Sequence, residues 1–429
     1  MHRSFVYHLF KLIVPGCLFF MTPTLLQAQP LLTLEEAMQE VLQNNKILQQ
    51  ARNRRRIDSQ ENHLIKTAFF PTLTLPSVGA TWPQSARQHS RNMHYEHIWL
   101  KNEIGLSWRL APSSFFSYQT LRIKDQISEL RWQQEVAAQV AAAIKAYYGL
   151  VLAQQKQKME VESLAVAKET LQLTKTKYEV GQETELDYLD AQVTYDQAYA
   201  TFWRQEETIV RDKRAFCRQL GRDEFAAFDV TEEIPLPEPL DWETLLATYK
   251  TTSPVLLLAQ KQSKNSINAL KIEQADRLFP SLGLDLTYAC WDKQPQYRIG
   301  LTLDFTNIFQ YAINVRKERL EEENQRLALA GKQVDEEEKL RSEFLVYTQQ
   351  LQDYTLQQRS VQVSQARAEA ALEKYRLGSI TLLALKRKQE EARRATQQCL
   401  EMGYNLKKRE VELRRLAGMP LGIIINDEL

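Results

Sequence analysis

The 429-residue sequence predicts a mainly helical protein with two pairs of short β-strands, made from one structural unit used twice. Three observations predict it: the halves resemble each other, proline-free stretches are too long for a compact domain, and period-two segments fall at matching places. The clearest self-match sets "KYEVGQETELDYLDAQ" at 177–192 against "KYRLGSITLLALKRKQ" at 374–389. Lys177, Tyr178, Gly181, Thr184, Leu186 and Gln192 recur as Lys374, Tyr375, Gly378, Thr381, Leu383 and Gln389. "FFPTLTL" around Pro71 returns as "LFPSLGL" around Pro280, "IGLSWRL" at 104–110 as "IGLTLDF" at 299–305, and Gly221 as Gly418. A repeat of this kind fixes the architecture before any single element is assigned.

The elements follow in chain order. Arg3 and Lys11 precede the apolar run "LIVPGCLFFMTPTLL" and then "QAQP", the order of a secretory signal peptide over residues 1–28, cut after Ala28. The alternative is a lipoprotein signal, with "VPGC" presenting Cys17 for acylation. Past this leader no stretch of ~18 apolar residues suggests a membrane-spanning helix. The first repeat is expected over 29–221, a proline-rich connector containing "TEEIPLPEPLD" over 222–240, the second repeat over 241–418, and a tail over 419–429. Three prolines keep that connector from being helical.

Each repeat reads as helix, two strands, very long helix, turn and shorter helix. Expected helices are 34–69, 114–179 and 183–219 in the first repeat, and 242–278, 309–377 and 380–416 in the second. At 1.5 Å per residue the long helix of the first repeat would reach ~99 Å and its flanking helices about 55 Å each. Two shorter helices end to end therefore match one long antiparallel helix, which suits a coiled-coil wall and not a compact core. Leu164, Ala167, Leu171, Thr174 and Tyr178 follow a 3-4-3-4 spacing, as do Val361, Ser364, Ala368, Ala371 and Tyr375. Such stripes, partly of small residues, are seams between neighbouring helices.

The strands alternate. Ile98, Leu100, Ile104, Leu106, Trp108 and Leu110 share one face; Leu282, Leu284, Leu286 and Tyr288 share another; so do Tyr297, Ile299, Leu301, Leu303 and Phe305. This pattern suits either a half-buried soluble sheet or outer-membrane barrel strands. Four strands cannot close a membrane barrel, which needs at least ~8 and tolerates no open edge, so the lipid-facing reading requires several copies.

Other features exclude function classes. The net charge of +1 gives no electrostatic basis for nucleic-acid binding. Four cysteines (Cys17, Cys217, Cys290, Cys399) show neither metal-ligand spacing nor a disulfide framework. His89, His94 and His97, near Met93, would lie in a loop between the first two strands and read as solvated. "RNRRR" at 52–56 and the "EEE" runs at 321–323 and 336–338 read as wet helix faces, and Trp82, Trp99 and Trp291 as interfacial girdle residues. No phosphate loop, nucleophile elbow, HExxH or CxxC is found, so no catalytic residue, cofactor or metal is expected.

The order of these elements, twice over, with "YxxGxxTxL" in both halves, resembles the TolC family of outer-membrane efflux proteins. That resemblance covers essentially the whole chain after the leader, from "LTLEEAMQEVLQNN" to "LRRLAGM". It implies a trimeric TolC-like α/β-barrel: a homotrimer with a 12-stranded outer-membrane β-barrel, four strands per chain, and a long periplasmic α-helical barrel. It also implies docking with a periplasmic adaptor and an inner-membrane pump of RND, ABC or MFS type. Gly181 and Gly378 would then turn the chain at the periplasmic tip, with Thr184 and Thr381 capping the returning helices. Adaptor docking would fall around Tyr178, Val180, Gly181, Gln182 and Thr184, and around Tyr375, Leu377, Gly378, Ser379 and Thr381. Channel-constricting aspartates of the family correspond to Ala384 and Arg387 here, a departure; the first-repeat equivalents Asp187 and Asp190 are acidic. If all four face the lumen, Asp190–Arg387 pairs would hold such a mouth shut; the alternative is that Arg387 points outward as a solvated helix charge. The implied function is a passive exit duct of a tripartite efflux or type I secretion system. The rivals are an adaptor-like protein and a coiled-coil scaffold without a pore.

Overall fold

This computed structural model describes residues 31–67, 69–75, 77–80, 98–101, 103–224, 226, 228–230, 233–235, 239–278, 280–289, 294–302 and 308–421. The expected signal peptide, the histidine loop, Trp82, Cys290 and Trp291 lie outside the described residues, as does the side chain of Trp99.

Strand β1 (Leu31–Leu32) leads into α1 (Leu34–Asn44), whose start is fixed by a reciprocal box: Glu36 N–H donates to Thr33 Oγ1 and Thr33 N–H donates to the Glu36 carboxylate. Helix α2 (Lys46–Thr67) follows, then β2 (Thr72–Thr74), β3 (Ser77–Ala80), β4 (Ile98–Lys101) and β5 (Glu103–Leu110). Helix α3 (Pro112–Glu179) runs 68 residues and turns into α4 (Glu185–Leu220). The connector contributes β6 (Asp229–Val230), which pairs parallel with β1. The second repeat supplies α5 (Trp242–Thr252), α6 (Pro254–Leu278), β7 (Ser281–Ala289), β8 (Gln294–Thr302), the 69-residue α7 (Ile308–Arg376) and α8 (Leu382–Ala417).

The single helices expected over 34–69 and 242–278 are each broken, at Asn45 and at Ser253. Asn45 has extended backbone, and its Oδ1 accepts from Ile47 N–H (2.8 Å) and Leu48 N–H (3.2 Å), so it caps α2. Ser253 precedes Pro254, which disfavours helical backbone at the residue before it and opens α6 at its first position. Each break packs against the end of the returning helix in its own repeat. Gly221 ends α4 with φ 75° and Gly418 ends α8 with φ 70°. A Cβ on Gly221 would stand 2.6 Å from the Asn44 carbonyl oxygen, and one on Gly418 2.6 Å from that of Thr252. Asn45 Nδ2 also donates to Gln219 O (2.9 Å), and Thr252 Oγ1 to Ala417 O (3.0 Å).

These joints sit beside the two main cores. One gathers Met38, Val41, Tyr147, Val151, Phe216, Leu220 and Phe228; the other gathers Leu245, Tyr249, Leu340, Tyr347, Leu406 and Leu416. Each fully buried Leu or Phe there contributes ~1.5–3 kcal/mol relative to exposure. Contrary to the sequence reading, α3 does contain an 18-residue window apolar enough to span a membrane, with 56% of it buried. Its residues from Val136 to Val151 build the first core, which explains their composition.

Helix neighbours form a single layer, ordered α2-α3-α6-α7 near the strands and α4-α3-α8-α7 toward the turns. The sheet follows the same sequence, β2-β5-β7-β8, with β3 paired to β4. Register aligns the apolar residues across it. Leu73, Leu106, Leu286 and Tyr297 form one row, Trp108, Leu284 and Ile299 the next, and Leu110, Leu282 and Leu301 a third. Most of these side chains are solvent-exposed in the single chain. The opposite face is polar, with Thr72, Ser107, Asp285 and Arg298 in one row and Thr74, Gly105, Thr287 and Gln296 in another. Strands of nine residues with one apolar and one polar face fit a tilted membrane crossing.

Candidate functional site

The tip is built by two hairpin turns. Gly181 and Gly378 carry φ of 77° and 73°, which glycine adopts without a Cβ penalty. Gln182 N–H closes onto Lys177 O and Ser379 N–H onto Lys374 O, both at 2.8 Å. Val180 and Leu377 are exposed beside them. Thr184 caps α4, accepting from Asp187 N–H at 3.1 Å, while the Asp187 carboxylate accepts from the Thr184 hydroxyl at 2.5 Å. Thr381 caps α8 by accepting from Ala384 N–H at 3.3 Å. Both expected caps are formed, and only the first repeat has an acid at the third helical position to complete the box.

The matched tyrosines part company. Tyr178 is 40% exposed and stacks on Tyr188, with centroids 5.7 Å apart and planes at 8°. Tyr375 is 0% exposed and belongs to the first hairpin as much as to its own. Its hydroxyl shares a 2.7 Å hydrogen bond with Thr174, and Lys177 Nζ lies 3.8 Å above its ring while donating to its carbonyl. Burial pushes the Tyr375 phenol pKa up, against the opposing hydrogen bond from Thr174. Ala191, Ala371, Leu382 and Leu385 complete this small core.

Further bonds join the hairpins. Arg376 pairs with Glu169, and Gln389 Nε2 reaches Thr170 Oγ1 at 3.4 Å. Within one chain Asp190 pairs with Lys386 at 2.7 Å and not with Arg387. Residues 386 and 387 point about 100° apart on α8, so only Lys386 faces Asp190 of its own chain. Arg387 is exposed and has no ion pair among the described residues. Asp187 is engaged in its cap, and Ala384 occupies the same position in α8. Thr174, Lys177, Glu169 and Lys386 were missed as site residues. Thr174 lies on the seam stripe and Lys177 in the repeated motif, but neither spacing nor repetition says what faces them across the hairpins.

A profile of the outer membrane efflux proteins matches residues 37–221, from α1 to the glycine that ends α4. Solved structures share the fold of this chain over nearly its whole length. The outer-membrane channel OprN matches with a TM-score of 0.76 at 18% identity, covering 90% of each chain. The Campylobacter jejuni outer-membrane channel CmeC matches at 0.72 and 16%, covering 91% of this chain and 87% of that one. The Vibrio cholerae outer-membrane protein VceC matches at 0.74 and 14%, covering 90% and 96%. No curated protein matches the sequence.

Proposed function

We propose that three copies of this chain form an outer-membrane exit duct that passively conducts cargo from an efflux or type I secretion system. The observation that carries the reading is that one layer of four helices and four strands is open at both edges. Strands β2 and β8 end the sheet order, and the helix edges beyond them carry exposed apolar side chains. On one edge these are Ile57 and Leu64 of α2 with Leu186, Leu189, Val193 and Trp203 of α4; on the other, Ile313, Leu320, Leu327 and Val334 of α7. Pairing β8 of each copy with β2 of the next leaves the β2-β5-β7-β8 sheet without an open edge, as a lipid-embedded barrel requires. The apolar rows then face lipid and the Asp285–Arg298 face lines water. An adaptor-like protein would have no use for this belt, and a scaffold none for the polar inner face.

At the far end, the cross-hairpin bonds of Tyr375, Lys177 and Lys386 hold the second hairpin against the first. Opening would swing α4 and α8 relative to α3 and α7, like an iris. The turns around Gly181 and Gly378 would receive a periplasmic adaptor, whose inner-membrane pump supplies the energy. Planar-bilayer recording on the purified protein, with gel migration before and after heating, tests the duct. Heat-labile oligomers that conduct ions support it; a folded protein that migrates as a monomer and never conducts would return the scaffold reading.

A further inference from the structure

Next to the apolar rows of the sheet, one side of the helix layer is basic and aromatic. Resting on the outer-membrane duct reading, we propose that Lys66, Arg122, Lys271 and Arg316 form a collar that binds the phosphate headgroups of anionic phospholipid in the periplasmic leaflet. The lipid side of the layer can be followed from the sheet. Trp108 stands in an apolar row, and its Nε1 donates to Phe69 O at 2.9 Å. The Phe69 ring meets Tyr118 edge-on, with centroids 6.4 Å apart, and the Arg122 guanidinium lies 5.3 Å over the Tyr118 ring. Phe115, Tyr118 and Arg122 share one face of α3 by their spacing, and all three are exposed. The other side of the layer holds a polar cavity of about 730 Å³, lined by Arg131 of α3, Glu61 of α2, Gln262 of α6 and Gln325 of α7. Nine residues make two and a half helical turns, so a residue nine away from a cavity residue faces the opposite side. Arg122 stands so to Arg131, Lys271 to Gln262 and Arg316 to Gln325. On α2, His63 points about 160° away from Glu61, and Lys66 Nζ lies 3.5 Å from its Nδ1.

The four cations also share one level. Asn62 of α2 donates to Asp125 of α3, Lys271 Nζ lies 5.9 Å over the Phe116 ring of α3, and Asn314 of α7 donates to Glu273 of α6 at 3.1 Å. Helices α2 and α6 run toward the sheet, and α3 and α7 away from it. Lys66 is therefore level with about residue 121 of α3, Lys271 with residue 116, and Arg316 with Lys271. With Arg122 they span about 9 Å of rise. That matches a headgroup layer of about 5–8 Å, given the reach of long side chains. All four are exposed and have no carboxylate partner among the described residues. Acids at this level are engaged or turned aside: Asp125 by Asn62, Glu273 by Asn314, Glu61 on the cavity side, and Glu318 half-buried. Phe70 and Phe115, both exposed, stand at the sheet-side rim. Aromatic rings settle at a membrane interface, and clustered cations beside it attract anionic headgroups. An acidic protein would match the charge but not the rings that continue the lipid-facing rows.

Vesicles of phosphatidylcholine, with or without phosphatidylglycerol, test this on the full chain. Phosphatidylglycerol is expected to raise the temperature at which the wild-type oligomer dissociates, and high salt to shrink the gain. Combining Lys66→Gln, Arg122→Gln, Lys271→Gln and Arg316→Gln should remove the gain and cut the phosphatidylglycerol retained in native mass spectrometry roughly threefold or more. Lys168→Gln with Lys408→Gln, which neutralise exposed cations far from the sheet, should leave both readings as in wild type. Equal dissociation in the two vesicles, from wild-type oligomers that still conduct, overturns the collar and leaves the duct standing. An equal loss in the remote pair overturns it too, as does an acidic protein that the combined variant releases while lipid has no effect. A folded wild type that neither oligomerises nor conducts removes the duct reading itself, and the collar with it.

Discussion

Among the described residues four glycines are left-handed, and they do two different jobs. At the tip, Gly181 and Gly378 have nothing within 4 Å of where a Cβ would stand, so they serve the backbone angle alone. Beside the cores, Gly221 and Gly418 supply the angle and also the space, because a carbonyl of the broken helix presses against each of them. One end of the molecule is therefore made to reverse direction cheaply in the open, and the middle is made to lock. The same contrast runs through the rest of the structure. Large cores flank the joints, whereas the tip is held by a small cluster and a few cross-hairpin polar bonds.

The strongest way to break this contrast is Gly221→Ala. It combines a strained φ with a backbone clash, and a loss of about 3 kcal/mol or more is expected. Gly181→Ala should cost only ~1 kcal/mol, since strain is the whole effect. Thermal dissociation of the detergent-purified protein compares the two, and equal losses would erase the distinction. Gly418→Ala and Gly378→Ala should repeat the result in the second repeat.

A pH series probes the locked middle. Glu412 is partly buried; burial alone would raise its pKa, but hydrogen bonds from Arg415 and Lys145, both at 2.5 Å, bring it down to about 2. A lowered carboxylate pKa stabilises the fold above its ordinary value of 4.5 and loses that contribution as pH falls through about 2. Wild type should therefore weaken between those values more steeply than Glu412→Gln, measured by melting across the range. Parallel acid curves would show that this cluster contributes nothing.

At the tip, Tyr375→Phe removes the bond to Thr174 and should cost ~1 kcal/mol in stability. The same change should raise the open fraction in bilayer recordings, while Tyr178→Phe leaves conductance unchanged because its stacked ring survives. The smallest effect separates neighbours on α8. Lys386→Ala should open the pore as Asp190→Ala does, and Arg387→Ala should do nothing. A conductance change confined to Arg387→Ala would restore the Asp190–Arg387 gate and place that pair between copies.

What could be read from residues alone follows the reach of each signal. Strand alternation over 104–110, 281–288 and 297–301, the glycine turns and both threonine caps are local, and they stand where the sequence puts them; Leu303 and Phe305 lie outside the described residues, as do the side chains of Ile98 and Leu100. The break at Ser253 had a local sign in Pro254, which the proline-free arithmetic of the long helices overshadowed. At Asn45 the sign was weaker, since an asparagine that caps inside an amphipathic run looks like any polar surface position. The parallel pairing of Leu31–Leu32 with Asp229–Val230 has no periodicity at all, being two residues long and dependent on the core behind it. Lys386 and Arg387 could be told apart only once α4 stood beside α8. The burial of Tyr375 and the exposure of Tyr178, identical in motif, likewise depend on which neighbour each hairpin has.

The glycine joint at Gly418 has a mechanical consequence. Helix α8 spans 36 residues from there to its cap at Thr381, an arm about 54 Å long. Turned by only about 5° at the joint, that arm carries its far end roughly 5 Å, about half a helix diameter. In the proposed iris-like opening, a joint gripped at one end and a latch of a few bonds at the other would act as a lever, in which angular changes too small to disturb the cores become displacements of several ångströms at the tip.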